Sequence, residues 1–444
     1  MKTTYLAFAS IALLLGTSFG DDNVLIIHNA QEFIQFGASV NNKETYRKTT
    51  VYLDADIDFA GALVAGDFEP IGTGLEAYNF QGTFDGQGHV LSNLAVGTKS
   101  SNATRQEYYG IFGYSDGASF RNLVIDSTCS VTCSSDSSSE ISVGSLIGYI
   151  ETYDYPIRIE NIINMARVTY AATNAAASSA YLIIGGIVGE FNSILLNAHV
   201  RNCANYGSVV HSGVSGSTAM GGIVGSVIGS YSADAQVQNS LNYGIIAHTG
   251  STKNALNIGG IAGRTAYLNT SIANCVSIGL IVANRNRDDK IGAIVGHLYK
   301  GTAADCYWDD NVHYAPCGAV EAGVYQGGSN YSTTSFVLEQ TVTVGGYTGS
   351  SLLDALNAGA AARAADEFSR WALNRNRAAV VFMLNGERVL SKTNTQVIVL
   401  PSLATEGEVH FDGWYLDEAC TQPLIDGEIK TNTVLYGKWN DKKN

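Results

Sequence analysis

Proline is nearly missing from this chain, 5 residues in 444, beside 48 glycines. Charge is scarce as well: Asp, Glu, Lys and Arg make up 15%, and 26 basic against 40 acidic residues leave a net charge of −14. That balance argues against nucleic acid and anionic lipid as partners. After an apolar run at the N-terminus no segment reaches 18 apolar residues, so no transmembrane segment is expected. Heptads are missing, and the middle of the chain holds few helix formers. His28, His89, His199, His211, His248, His297, His313 and His410 show no metal spacing. There is no nucleophile elbow, no phosphate-binding loop, no zinc ligand pair, and no GxGxxG that opens a helix. The reading therefore expects no catalysis, no cofactor and no metal.

What is present is a repeat. The phrase Gly-Gly-Ile-Val-Gly recurs with its last glycine at Gly113, Gly148, Gly189, Gly225, Gly263 and Gly296, at spacings of 33 to 41 residues, the first two copies degenerate. A period of that size means one structural unit stacked on itself. A second column runs in phase: Asn122, Asn161, Asn202, Asn239, Asn274 and Asp305. Two residues before each stand Phe120, Ile159, Val200, Val237, Ile272 and Ala303, a period-two pattern that predicts a strand with one buried face. Asn161-Ile-Ile-Asn-Met-Ala, Asn202-Cys-Ala-Asn-Tyr-Gly and Asn239-Ser-Leu-Asn-Tyr-Gly read as copies of one corner. Asparagine tolerates the left-handed backbone region and bonds nearby main chain, so stacked copies predict a hydrogen-bonded ladder of structural rather than catalytic character. The expected fold is a parallel β-helix, each repeat of about 37 residues supplying two coils of roughly 18.

Residues 1–20 read as a signal peptide: Lys2, an apolar run around Leu6 to Leu15, and the small residues Ser18 and Gly20 before Asp21. The chain is expected to be secreted or held at a surface, and monomeric. Seven cysteines are an odd number for an oxidising compartment. Cys203, Cys275 and Cys306 share one column. With repeats two coils apart, roughly 10 Å, they lie beyond the ~7 Å reach of a disulfide and read as buried small hydrophobes. Cys306 with Cys317 and Cys129 with Cys133 are the candidate local bridges, and Cys420 stands alone. Asn102, Asn269 and Asn330 open Asn-x-Ser/Thr sequons and are glycosylation candidates if the source is eukaryotic.

Along the chain, residues 21–49 read as an N-terminal cap with a short helix around Asn29–Phe36, covering a strand edge. Residues 50–310 read as the repeats. Residues 311–378 read as a linker and a capping helix from Ser350 to Leu373, with Leu352, Leu353, Leu356, Ala360, Ala364, Phe368 and Trp371 on one side. Residues 379–440 read as a separate small module.

Pro70-Ile-Gly72, the stretch Phe80-Gln-Gly-Thr-Phe-Asp-Gly and the Gly-Gly-Ile-Val-Gly series resemble the GLUG-motif family of secreted right-handed β-helix proteins, over roughly 24 to 310. Leu352-Leu-Asp-Ala-Leu-Asn357 with Trp371-Ala-Leu-Asn374 resembles the segment that often ends such helices. Phe411-Asp-Gly-Trp-Tyr415 and Leu435-Tyr-Gly-Lys-Trp439 resemble a Listeria–Bacteroides repeat of the internalin B-repeat type, whose fold is β-grasp-like; Gly437 departs from its usual alanine, and one copy stands where arrays are usual. The resemblance implies adhesin-like surface proteins and transfers no catalytic residue.

The sequence holds one acidic cluster of note. Asp54, Asp56 and Asp58 alternate with Val51, Leu53, Ala55, Ile57 and Phe59, so they fall on one outer face at strand spacing. Carboxylates so placed could bind Ca²⁺ or do acid–base work, but a solvated acidic face is the simpler reading. Arg121, Arg158 and Arg201 line the outer ladder without an evident groove, and Tyr108, Tyr109, Tyr153 and Tyr155 cluster in early loops. The leading expectation is a secreted or surface protein that binds a glycan, matrix or host protein surface. A polysaccharide lyase or hydrolase on the same scaffold is the alternative, and a structural coat or wall component the third.

Overall fold

The computed structural model describes residues 23–331 except 65–66, 73–77, 98–106, 136–137, 154, 174–176, 178, 284–287, 310–313 and 327–329, together with separate segments between 342 and 441. The N-terminal run 1–20 and Asn102 lie outside the described residues. The chain is mainly β, and strands from Asn23–Ile27 to Asn330–Tyr331 stack into long parallel sheets.

One repeat makes one full coil. From Arg158–Asn164 in the first sheet the chain runs through Arg167–Tyr170, Tyr181–Gly185 and Val188–Asn192, one strand in each further sheet, and returns to the first sheet at Ala198–Arg201. That last strand pairs in parallel with Arg158–Asn164, and then with Ala235–Gln238. Successive repeats are therefore direct neighbours, which corrects the expectation of two coils per repeat. The repeat length is taken up by four short strands and their corners rather than by a second turn of the solenoid.

The two sequence columns have physical causes. Phe120, Ile159, Val200, Val237, Ile272 and Ala303 are all fully buried, one above another. So is the isoleucine of the glycine phrase (Ile187, Ile223, Ile261 and Ile294). The phrase's last glycine is needed for close approach: a Cβ on Gly189 would lie 2.3 Å from the Gly148 carbonyl oxygen and 2.8 Å from the Val143 nitrogen, backbone that has nowhere to go. Asn122, Asn161, Asn202, Asn239, Asn274 and Asp305 all take φ between 47 and 56°, the left-handed corner the sequence suggests. Asn239 Nδ2 donates to Asn202 Oδ1 at 2.8 Å, and Asn274 Nδ2 to Asn239 Oδ1 at 2.7 Å. A second ladder runs beside it, in which Asn164 Nδ2 donates to Asn205 Oδ1 and Asn205 Nδ2 to Asn242 Oδ1.

The helix Ala30–Val40 covers the first coils. Asn29 caps it, accepting from the Glu32 amide at 3.0 Å. Phe33 packs edge-on to Phe59 and Phe84 at 5.4 and 5.9 Å between ring centroids, and Phe36 to Phe80 at 5.5 Å. The run from Thr50 to Phe59 is two strands, Thr49–Leu53 and Ile57–Asp58, because the chain turns a corner at Asp54–Asp56.

The C-terminal helix is shorter than expected, Leu352–Ala364. Trp371 lies instead on the strand Trp371–Leu373, fully buried, and its indole Nε1 donates to Asn239 Oδ1 at 2.8 Å. Asn357 of the helix holds the Trp371 main chain from both sides, accepting from its amide and donating to its carbonyl. The segment after the repeats thus folds back onto the asparagine corner. Beyond it Glu387–Lys392, Val380–Leu384, Thr433–Asp441 and Val409–Tyr415 form a four-stranded sheet, in that order. Its one parallel pair is Val380–Leu384 with Thr433–Asp441.

Candidate functional site

On the fourth sheet six polar or aromatic residues share one register column: Tyr114, Tyr149, Glu190, Ser226, Arg264 and His297. Their strand neighbours Ile150, Phe191, Val227 and Leu298 belong to the hydrophobic core and they do not, so the column points away from that core, with Tyr114, Glu190 and Ser226 buried and Tyr149, Arg264 and His297 partly exposed. The third sheet adds Tyr108, and Glu140 directly beside Tyr181. The fold brings Tyr114 to His297 onto one line of rungs spaced about 4.8 Å, with Tyr108, Glu140 and Tyr181 on the adjoining sheet.

At one end three tyrosines stack. Tyr108 lies 4.8 Å from Tyr149 and 5.7 Å from Tyr114, with rings near parallel. The Tyr114 and Tyr149 hydroxyls donate to the two oxygens of Glu151, at 2.6 and 2.8 Å. Burial pushes all three phenols well above their ordinary range, so they stay neutral donors. Farther along the column Arg264 is the hinge. Its Nε donates to Ser226 Oγ at 3.0 Å, its guanidinium lies 4.7 Å over the Tyr181 ring, and its Nη2 stands 3.9 Å from Glu190 Oε2.

Glu190 is the unusual member. It is 4% exposed, and its Oε2 is fully enclosed with no hydrogen-bond partner. Burial first, then the nearby charge of Glu140, push its carboxyl up to about 8 against the opposing pull of Arg264. Glu140 is also raised, by burial, with Arg264 opposing. The site therefore holds one carboxylic acid protonated near neutral pH, a second carboxyl beside it, a guanidinium and four tyrosines. It can donate and accept several hydrogen bonds at once and can hold a proton.

The acidic cluster of the sequence does not form one site. Asp54 meets His28 Nε2 at 3.3 Å. Asp56 accepts from His89 Nδ1 and the Val90 amide, and Asp58 from the Ala60 amide and Asn93 Nδ2. Each carboxylate serves a different corner bond, because the chain turns there instead of running as one strand. No set of three His, Cys, Asp or Glu side chains able to hold a metal occurs among the described residues. On the outer ladder Arg121 pairs with Asp85 at 2.8 Å, and Arg201 with Glu160, which also meets His199 at 2.6 Å. Those partners hold Glu160 down to about 2 against the burial that opposes them, which marks the group as a structural ion network.

In this structure Cys129, Cys133, Cys306 and Cys317 carry free thiols, so neither expected local bridge is present in it. The extended strand Ser130–Cys133 carries Cys133 about 10 Å from its start, out of reach of Cys129. Cys306 follows the corner residue Asp305, whereas Cys317 opens a strand of the fourth sheet. Asn269 is exposed, but its Nδ2 donates to the Ser230 carbonyl at 3.0 Å; Asn330 lies on the strand Asn330–Tyr331.

Sequence reasoning missed Glu140, Glu190 and Arg264 because they lie up to 124 residues apart (264 − 140) in a column that mixes residue types. One signal was available. Tyr149, Glu190, Ser226, Arg264 and His297 each follow the last glycine of the repeat phrase by one position.

No family model matches the chain, and no curated protein does. Among solved structures, that of a proposed immunoglobulin A1 protease from Bacteroides ovatus is similar, with 19% identity over 70% of this chain and 84% of that one, at a TM-score of 0.46. The expectation that this chain is not an enzyme is corrected on that finding, because the similar structure carries a protease's description. At that identity and score the likeness assigns no activity to this chain.

Proposed function

We propose that the chain is a secreted or cell-surface β-helix protein that acts by binding an extended extracellular polymer, a glycan first, along the third and fourth sheets. The observation that carries this reading is the in-register column in which stacked tyrosines run into the Glu190–Arg264 pair. Tyrosine rings offer apolar faces and edges to sugar C–H groups, and the Arg264 guanidinium pairs with sugar hydroxyls. A rung spacing of about 4.8 Å is close to the length of one pyranose, so a linear glycan along the solenoid axis meets equivalent rungs in step. The GLUG-like repeats and the Listeria–Bacteroides-like C-terminal module support the same surface context. The test is a glycan and matrix array probed with residues 21–444 and with Arg264→Ala and Tyr149→Ala. Saturable binding that falls about tenfold or more in both variants is the expected result. Binding unchanged in both would move the site elsewhere.

A second reading is favoured by Glu190. Burial and the Glu140 charge hold the Glu190 carboxyl protonated up to about pH 8, one property that a general acid needs. Released reducing ends, abolished by Glu190→Gln, would put this reading ahead of simple binding.

A further inference from the structure

We propose that Cys275 and Cys306 form a disulfide between consecutive coils at the C-terminal end of the solenoid. The register places them opposite one another. Ala273 pairs with Ala304, and Val276 with Tyr307. Both pairs are offset by the same 31 residues (304 − 273 and 307 − 276), so Cys275 lies across from Cys306. The Tyr307 amide donates to the Cys275 carbonyl at 2.9 Å, which closes the rung. Parallel neighbours sit about 4.8 Å apart, inside the ~4.4–6.8 Å Cα window of a disulfide.

Both thiols point the same way. Cys275 Sγ donates to the Ala273 carbonyl at 3.3 Å and Cys306 Sγ to the Ala304 carbonyl at 3.2 Å. Each lies 3.7 Å from a carbonyl of the coil before, Val237 and Ile272. Both residues are fully buried, and burial and the Cys275 thiol together hold the Cys306 thiol protonated. A thiol so enclosed is inert once the coil has closed, so oxidation belongs to the stage when the last coils assemble. The oxidant is a small-molecule disulfide such as oxidised glutathione. One cysteine thiolate attacks it, forms a mixed disulfide and expels a glutathione thiolate. The second thiolate attacks the mixed disulfide, forms the Cys275–Cys306 bond and expels the other glutathione. Two thiol protons and two electrons pass to the glutathione disulfide, which leaves as two molecules of reduced glutathione.

Cys203 is excluded from this bond because Ser240 occupies the rung between it and Cys275. Ser240 also shows that serine fits this column: its Oγ donates to the Gln238 carbonyl at 2.8 Å, the bond each cysteine makes two residues back. Cys275→Ser and Cys306→Ser are therefore expected to fold.

The experiment takes the full chain from a secretory expression host, alkylates it unfolded but unreduced, and maps it by mass spectrometry after trypsin and Asp-N. Cleavage at Asp309 separates Cys306 from Cys317. A Cys275–Cys306 linked pair, with Cys203 alkylated, is the expected result. Alkylation of both Cys275 and Cys306, or a link from Cys306 to Cys317, overturns the proposal. As a second readout, reductant should lower the wild-type melting temperature by several degrees and leave Cys275→Ser unmoved. An equal drop in both would mean that reductant acts elsewhere and would also count against it.

Discussion

Asn239 joins three parts of the molecule. It donates to Asn202, accepts from Asn274 and accepts the indole of Trp371, all while holding a left-handed backbone. Asn239→Ala removes both acceptor bonds and leaves alanine in a conformation that costs about 1–2 kcal/mol, and each orphaned buried donor costs about 1–3 kcal/mol. A loss of about 3 kcal/mol or more in urea unfolding is expected, whereas Leu195→Ala at an exposed position should be near neutral. Histidine supplies a pH prediction. Tyr170, His211 and His248 stack in one column at 5.4 and 4.6 Å. The ring nitrogens of His211 are buried without hydrogen bonds, and burial, then His248, lower its pKa to about 3. The folded state thus refuses a proton that the unfolded chain accepts from pH ~6.5 downward. Stability is full above that and is lost as pH falls toward 3. Glu190 has the opposite sign. Its raised pKa stabilises the fold below the ordinary carboxylate range, and that contribution is lost as pH rises through about 8. Melting temperature measured from pH 8 to 4 should fall less steeply below 6.5 in His211→Leu, and more steeply on acidification in Glu190→Gln.

At the scale of single elements, the helix Ala30–Val40 protects the open end of the stack. Its residue pattern alone announced a short amphipathic helix, and the structure adds the cap in which Asn29 accepts from the Glu32 amide. What it packs against was not legible, since Phe59, Phe80 and Phe84 come from later coils. Phe33 is fully buried among them, and Phe33→Ala should cost about 3–5 kcal/mol. Exposing strand edges should also raise aggregation, read by light scattering at a fixed fraction folded. The C-terminal helix shows the opposite case. Leu353, Leu356 and Ala360 are buried as their spacing predicts, but the run to Trp371 is broken, because Trp371 finds a better partner in the asparagine corner than in a continued helix.

For the whole molecule, one repeat per coil means that a repeat is a removable unit. Asn202 and Asn239 hold equivalent places in the ladder. Deleting residues 203–239 joins Asn202 to Ser240 in register and leaves an asparagine for Trp371 to meet. The shortened protein should keep its β circular dichroism and unfold cooperatively, with a smaller denaturant slope because less surface is exposed on unfolding. A deletion ending half a coil away, at residue 221, should fail to fold, since it would lay the fourth-sheet strand Val224–Ile228 onto the first sheet.

The sequence by itself determined that this is a stack of β coils, because two periodic constraints recur at a fixed spacing: an asparagine that must turn a left-handed corner and a glycine where backbones nearly touch. It also determined which residues face the core, since alternation along a strand is a local property. Only the tertiary structure decided how many coils a repeat makes, because one coil of four strands and two coils of two or three short strands fill the same length of chain equally well. From that single choice follow the facing of Cys275 and Cys306 and the column joining Tyr149, Glu190 and Arg264. Both depend on which coil lies next to which, and that is fixed by strand pairing across the stack rather than by anything within one repeat.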